Sequence, residues 1–305
     1  MALVSREADQ DIRLIRKRGN TLKKAGLVLE GGGNRGIFTS GVLDYLMEER
    51  ITFPYVVGVS AGACNAVDFV SEQIGRTKDC IIGKDFPAPL IRYRYLLEKR
   101  MLVDMDLLFD EVPNRINPFD YDTYFASPIR CVLVATDCTT GKAVYMDERK
   151  DRERLMKIVR ASSSLPLVSP MVTVDDIPYL DGGISDPIPV RRVLTEGYKK
   201  PVIVLTRQAG YRKKLSRVSE RLGKILYKEY PEVLKCLQSR HRVYNKTMDL
   251  IERLEQEGRA FVFRPSEVLV GRTEENEQKL NAFYQQGYEL AKERIGELRE
   301  FLESE

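Results

Sequence analysis

Residues 25–70, AGLVLEGGGNRGIFTSGVLDYLMEERITFPYVVGVSAGACNAVDFV, read twice over as strand, glycine turn and helix. The apolar run from Ala25 to Glu30 stops at Gly31-Gly32-Gly33-Asn34-Arg35-Gly36, as a buried strand does before a tight turn. From Ile37 to Arg50 apolar residues recur at helical spacing, and Pro54 sets the start of a second strand, Tyr55 to Val59. That strand runs into Gly58-Val59-Ser60-Ala61-Gly62, after which Ala63 to Ile74 is again helical, with Ala66, Val67 and Val70 on one face. Strands in this succession build an open parallel sheet whose sites lie at neighbouring carboxyl ends. The two glycine turns are therefore expected to face one crevice.

Further along, Ile129 to Thr136 and Lys142 to Met146 read as strands about the Thr139-Thr140-Gly141 turn, and Asp151 to Ala161 as a helix. The proline-bounded loop Ala161 to Pro170 leads to a short apolar strand ending in Tyr179-Leu180-Asp181-Gly182-Gly183. Val202 to Leu205 is one more buried strand and Arg259 to Phe263 a last one. Residues 80–127, broken by Pro87, Pro89, Pro113 and Pro118, read as loops and short helices. Residues 211–256 read as mostly helical with a break near Pro231, and residues 273–303 as one long amphipathic helix with Leu280, Phe283, Tyr284, Gly287 and Leu290 on a face. The division expected is an N-terminal extension over 1–24, an α/β core over 25–205 and a mainly helical region over 206–305 packed on it.

A chain of 305 residues with 43% hydrophobic content is long enough for such a core. The first 24 residues carry charges throughout and show no export signal, and the most apolar runs are strand-length, so no membrane span is expected. Five cysteines without a CxxC pair suggest neither a disulfide framework nor a zinc site, and point to a reducing cytoplasm. Charge is uneven. Arg207 to Lys246 holds twelve Lys and Arg against three Glu, a net of +9 within a chain of net +4. Such a block suits an anionic surface, and lipid is favoured over nucleic acid because aromatics are sparsely interleaved and no reader motif appears.

A serine flanked by glycines two residues away on each side, between strand and helix, suits a turn that pushes its hydroxyl out above the sheet. A helix starting there aims free amides at developing negative charge. The amides of Gly31 to Gly36 add donors for an oxyanion. The same six residues satisfy GxGxxG, but a dinucleotide site needs an acidic residue near Ile51 to Pro54, and none is present. Arg35 suits fastening the loop or binding an anionic headgroup, with a solvated side chain as the plain alternative. Ser60 needs a base. The single histidine, His241, would complete a Ser60-Asp181-His241 triad of α/β-hydrolase type, yet Arg240 and Arg242 beside it disfavour an imidazolium. Asp181, placed by a short strand and raised in pKa if buried, is the other candidate.

In their order along the chain, Gly31 to Gly36, Gly58 to Gly62 and Asp181-Gly182-Gly183 resemble the oxyanion, GxSxG and DG(A/G) motifs of the patatin-like phospholipases. Ala135-Thr136-Asp137 and Ala161-Ser162-Ser163-Ser164-Leu165-Pro166 add to a likeness covering about residues 25–205, closest to bacterial members with a helical C-terminal extension. The resemblance implies a three-layer α/β/α fold with a mainly parallel sheet. It also implies a serine acyl hydrolase of phospholipid, lysophospholipid or glyceride esters that works without metal or cofactor. In it Ser60 is the nucleophile, Asp181 the proton acceptor, and the amides around Gly32 and Gly33 the oxyanion donors. Two alternatives remain open: the histidine triad, and a membrane-surface lipid-binding protein without significant turnover. The expected setting is the cytoplasm, with peripheral contact to the inner membrane surface through residues 207–246.

Overall fold

The apolar runs assemble into one eight-stranded sheet in the computed structural model, which describes residues 24–82 and 104–304. The strands are β1 (Ala25–Leu29), β2 (Tyr55–Val59), β3 (Arg130–Asp137), β4 (Ala143–Met146), β5 (Val172–Val174), β6 (Ile177–Asp181), β7 (Lys200–Val204) and β8 (Phe261–Phe263). Their order is β5-β6-β3-β2-β1-β7-β8, with β4 paired to β3. The pairs β3-β2, β2-β1, β1-β7 and β7-β8 are parallel; β4 and β6 run antiparallel to β3, and β5 to β6.

Alternate residues of the central strands feed two separate cores, which is why these strands read as unbroken apolar runs. Leu27, Leu29, Val56, Leu133, Val204 and Phe263 face one core, and Val28, Val57, Val59, Val134, Ile203 and Val262 the other. On the first face pack α1 (Gly36–Glu48), α2 (Ala61–Val70), α5 (Arg152–Ser163), α9 (Glu277–Glu293) and α10 (Ile295–Glu303). On the second lie α6 (Val190–Thr195) and α8 (Pro231–Gln256). The fold is thus a three-layer α/β/α sandwich about a mostly parallel sheet, with a helical C-terminal region. That region is woven into the core: β8 extends the sheet, and α9 lies against α1 so closely that a Cβ on Gly41 would fall 2.1 Å from Tyr284 O, and one on Gly287 2.1 Å from Phe38 O.

Three expectations need correction. The single helix over 273–303 is two, because the chain turns at Arg294, whose guanidinium donates to Val262 O over 2.7 Å and lies 4.3 Å from the Phe261 ring centroid. Residues 211–216 are irregular, and α7 (Arg217–Leu226) begins only where Ser216 accepts from Ser219 N. Strand β5 has no counterpart in the elements expected from the sequence. Short helices α3 (Arg76–Ile82) and α4 (Tyr121–Ala126) and a π-helical turn over Leu107–Ile116 occupy the described part of 80–127; residues 1–23 and 83–103 lie outside the described residues.

Candidate active site

Ser60 caps the amino end of α2 with φ 58° and ψ −125°, a backbone region that residues with side chains rarely adopt and that the surroundings must enforce. Two glycines permit the turn: a Cβ on Gly58 would sit 2.1 Å from Gly62 O, and one on Gly62 2.4 Å from Leu29 O. Ser162 then fixes it. Its hydroxyl accepts from Ser60 N over 3.0 Å and donates to Val134 O over 2.6 Å. No local pattern in the sequence gives Ser162 this role, since its bond to Ser60 joins residues a hundred apart.

Register brings Asp181 to the same place. Strands β2 and β4 both pair with Leu133 and Val134, so they occupy opposite edges of β3. Strands β4 and β6 both pair with Ala135 and Thr136, so β6 shares the edge of β2. Val59 pairs with Val134 and Asp181 with Ala135, the next residue. The ends of β2 and β6 therefore meet head to head along β3, and the residue after one strand adjoins the last residue of the other.

The Asp181 carboxyl is 1% exposed; its Oδ1 accepts from Gly183 N over 2.6 Å, while Oδ2 has no hydrogen-bond partner. Burial pushes its pKa above the ordinary carboxylate value, against the opposing pull of the Arg240 guanidinium, the Ser60 hydroxyl and the Gly183 amide. The hydroxyl thus lies beside the carboxyl without a formed hydrogen bond. Main-chain bonds hold the aspartate in place: Asp181 N donates to Ser164 O over 2.8 Å and Thr136 Oγ1 to Asp181 O over 2.9 Å.

On the adjoining strand end, Gly33 has φ 59° and Asn34 is pinned, its N donating to Arg272 O over 3.0 Å and its Nδ2 to Glu274 O over 2.7 Å. Asn34 thus serves to anchor the loop. Among the described residues the amides of Gly32, Gly33 and Ala61 have no protein acceptor, and each of these residues lines a cavity that Ser60 also lines. Gly36 O, at the far end of the loop, accepts from Asn65 Nδ2 over 3.1 Å, which ties the loop to α2. Arg35 is 4% exposed and its Nε has no partner.

Ser60 stands between two cavities. One is polar and contains Asp181, Gly31 to Gly33, Arg35, Arg207, Lys213, Arg240 and Arg272. The other is a cavity of about 400 Å³ walled largely by apolar side chains, among them Val67, Ile81, Met105, Phe109, Phe119 and Leu280. Gly33, Leu165 and Arg272 border both. His241 lines neither cavity; it lies on α8 with a buried, unpartnered Nδ1, one residue from Arg240, which does line the polar one. The basic block is also divided: Arg207, Lys213 and Arg240 turn into the polar cavity, whereas α7 carries its cations outward. Periodicity alone does not reveal that split.

Among the described residues no group of His, Cys, Asp and Glu is arranged to hold a metal ion, and the five cysteines are free.

The fold and this serine-centred turn define a three-layer α/β protein with its candidate site at the carboxyl ends of β1, β2 and β6. The chain belongs to the patatin-like phospholipase family, whose model matches residues 27–194. A second model, a domain of unknown function (DUF6363), matches residues 230–303. Similar proteins include the uncharacterized protein YjjU of Escherichia coli, 34% identical over 197 residues, covering 59% of this chain and 51% of that one. Another is the uncharacterized NTE family protein Rv1063c of Mycobacterium tuberculosis, 27% identical over 179 residues, covering 58% of this chain and 47% of that one. The chain thus spans about half the length of the curated relatives it matches. Among solved structures, VipD from Legionella pneumophila aligns with a TM-score of 0.49 and 13% identity over 90% of this chain and 67% of that one. Among the described residues no helix is long and apolar enough to cross a membrane.

Proposed function

We propose that this protein is a serine acyl hydrolase that cleaves lipid ester bonds through Ser60 and Asp181. The observation that carries the reading is the position of Ser60 between an apolar cavity of about 400 Å³ and a polar one holding a buried carboxyl. An acyl chain fills the first while the alcohol side of the ester points into the second. Ser60 Oγ attacks the acyl carbon and its proton passes to Asp181 Oδ2, while the amides of Gly32, Gly33 and Ala61 receive the carbonyl oxygen as it becomes an oxyanion. Collapse breaks the ester C–O bond, and the leaving alcohol takes the proton from Asp181. Water then attacks the acyl-serine, gives a proton to Asp181, and frees the carboxylic acid as Ser60 regains its hydrogen. Burial suits Asp181 to this role, since a raised pKa makes a carboxylate a stronger base. A base other than His241 is supported by the absence of that side chain from the walls of either cavity. The deciding experiment is labelling by a fluorophosphonate probe together with esterase assays. Wild type and His241→Ala are expected to label and turn over, Ser60→Ala to do neither, and Asp181→Ala to lose turnover; inactivity of His241→Ala would favour the triad.

The domain division fits this chemistry. Residues 25–205 supply the nucleophile, the base and the donors, and residues 206–305 close the polar cavity with Arg207, Lys213, Arg240 and Arg272. The same region offers a route to the lipid surface. On α7, Val218 and Ile225 are 68% and 71% exposed, Leu222 and Leu226 extend the same apolar stripe, and Leu215 is exposed in the irregular segment just before it. Arg217, Arg221 and Lys224 each precede a stripe residue and so flank it along one side. An exposed helix of this pattern lies in an anionic bilayer interface, its apolar face down and its cations among the headgroups. The Tyr227 hydroxyl just beyond it accepts from Leu167 N over 2.8 Å, which ties α7 to the loop bearing Leu165 at both cavities.

A further inference from the structure

The polar cavity gathers more positive charge than any group of the protein answers. Five cations, Arg35, Arg207, Lys213, Arg240 and Arg272, face two carboxylates, Glu30 and Asp181. Glu30 is engaged through both oxygens, and Asp181 through Oδ1 alone. Glu30 accepts from Thr206 N over 2.7 Å and from the Tyr244 hydroxyl over 3.0 Å. Asp181 is held by Gly183 N, and its pKa is pushed towards the neutral form. Among the described residues none of the five cations forms an ion pair. Taking a guanidinium out of water without a partner is costly, yet Arg35 is 4% exposed with an unpartnered Nε in this cavity. Burial, together with Arg240 and Arg272, also draws the Lys213 ammonium down to about 7, so the cluster works against itself in the protein alone. A multivalent anion removes that conflict, and forked guanidinium donors match phosphate oxygens.

The cavity is equally informative about what it lacks. A choline or ethanolamine headgroup brings its own cation, which needs a carboxylate or an open aromatic face. Glu30 is held through both oxygens, and Asp181, although its Oδ2 has no partner, is 1% exposed and pushed towards its neutral form, so neither offers an open counter-charge. The two tyrosine rings are already covered, Tyr211 by Arg207 at 4.4 Å and Tyr244 by Lys213 at 4.9 Å from their centroids.

We propose that this cavity is a headgroup subsite for a phosphate ester that carries no cation, so that the substrate is an anionic glycerophospholipid or lysophospholipid rather than a choline, ethanolamine or neutral glyceride lipid. The proposal rests on the acyl-hydrolase reading for the ester and adds the selectivity. It also makes the C-terminal region part of substrate recognition, because Arg207, Lys213, Arg240 and Arg272 all lie beyond the strands that carry Ser60 and Asp181.

Binding and turnover separate the two claims. In the Ser60→Ala protein, calorimetric titration with glycerol 3-phosphate, glycerophosphocholine and inorganic phosphate isolates the headgroup from the ester. Glycerol 3-phosphate is expected to bind at least tenfold more tightly than glycerophosphocholine. Arg207→Gln with Arg272→Gln is expected to remove that advantage, and Arg207→Lys with Arg272→Lys to restore most of it, with thermal melts checking that each variant folds. Equal affinity for the two esters overturns the proposal, as does binding of inorganic phosphate without binding of glycerol 3-phosphate, which marks a site for the free ion. With the wild type, lysophosphatidylglycerol is expected to be hydrolysed at least tenfold faster than lysophosphatidylcholine. Equal rates overturn the subsite and leave the hydrolase standing; selective binding with no hydrolysis of any ester leaves the subsite and overturns the hydrolase.

Discussion

The Tyr244 hydroxyl donates to Glu30 Oε1 over 3.0 Å, joining the long C-terminal helix α8 to the residue that follows β1. Thr206 N holds the other carboxylate oxygen over 2.7 Å, so the glycine loop departs from a carboxylate fixed by two elements distant in sequence. This is the point at which the helical region and the sheet jointly set the position of Gly31 to Gly33.

Tyr244→Phe is expected to lower stability by about 1–3 kcal/mol, because it strips a partner from a carboxylate that is 3% exposed. The ring itself, and with it the stacking beneath Lys213, is retained. Urea unfolding followed by circular dichroism reads the change. A midpoint equal to that of the wild type would mean that the bond carries no weight.

Two glycine substitutions separate close packing from helix propensity. Gly41→Ala places a methyl 2.1 Å from Tyr284 O, a backbone atom that cannot step aside, and α1 must part from α9. The gain in propensity of about 1 kcal/mol is outweighed, and a net loss of about 2 kcal/mol or more is expected. Gly296, on α10, has nothing within 4 Å of where its Cβ would be. Gly296→Ala is expected to stabilise by up to about 1 kcal/mol. Thermal melts of the two variants should move in opposite directions; a shared direction would contradict the packing described.

The Asp181 carboxyl titrates above its unfolded value because it is buried. Between the unfolded pKa of about 3.9 and the raised folded one, the folded chain keeps a proton that the unfolded chain has released. Stability therefore falls as pH rises through that window, and the whole penalty is present above the folded pKa. Asp181→Asn has no such penalty and still offers an oxygen to Gly183 N. The Tm of the variant minus that of the wild type is expected to be smallest near pH 4 and to grow towards pH 8. A difference independent of pH would show that the carboxyl is not the titrating group.

How much of this was legible differs from residue to residue. Leu27 to Leu29 and Val56 to Val59 announce buried strands because both their faces meet a core, and Gly58 and Gly62 announce the Ser60 turn because nothing larger fits. Asp181 is harder. An aspartate before glycine is an ordinary turn residue, and only the pairing of β6 with the edge that β2 vacates brings it to Ser60. Residues remote from the motifs were not legible in their roles. Ser162 supports the serine through one side-chain bond, and Arg272 joins the site through a loop with no pattern of its own. Contacts of that kind depend on the folded path of the chain and leave no period behind. The basic block was legible as charge and illegible as two surfaces.

The outward part of that block yields the last expectation. On α7 the exposed stripe of Val218, Leu222 and Ile225 rises at three- and four-residue steps, and its cations Arg217, Arg221 and Lys224 sit one position earlier, so apolar and basic faces adjoin along the helix. Burying side chains of this size in the acyl boundary contributes about 1.5–3 kcal/mol each, and each cation near an anionic surface about 1 kcal/mol at low salt. Both terms are needed for a stable interfacial contact. Val218→Glu with Ile225→Glu removes the apolar term and adds repulsion, whereas raising salt screens only the charge. In sedimentation with phosphatidylglycerol vesicles the double variant is therefore expected to lose at least tenfold in partition coefficient. The wild type should weaken with salt but keep a residual bound fraction. Its fluorophosphonate labelling in solution should be untouched by the two substitutions, since neither side chain lines the cavities around Ser60. Equal sedimentation of variant and wild type would place the membrane contact elsewhere on the protein.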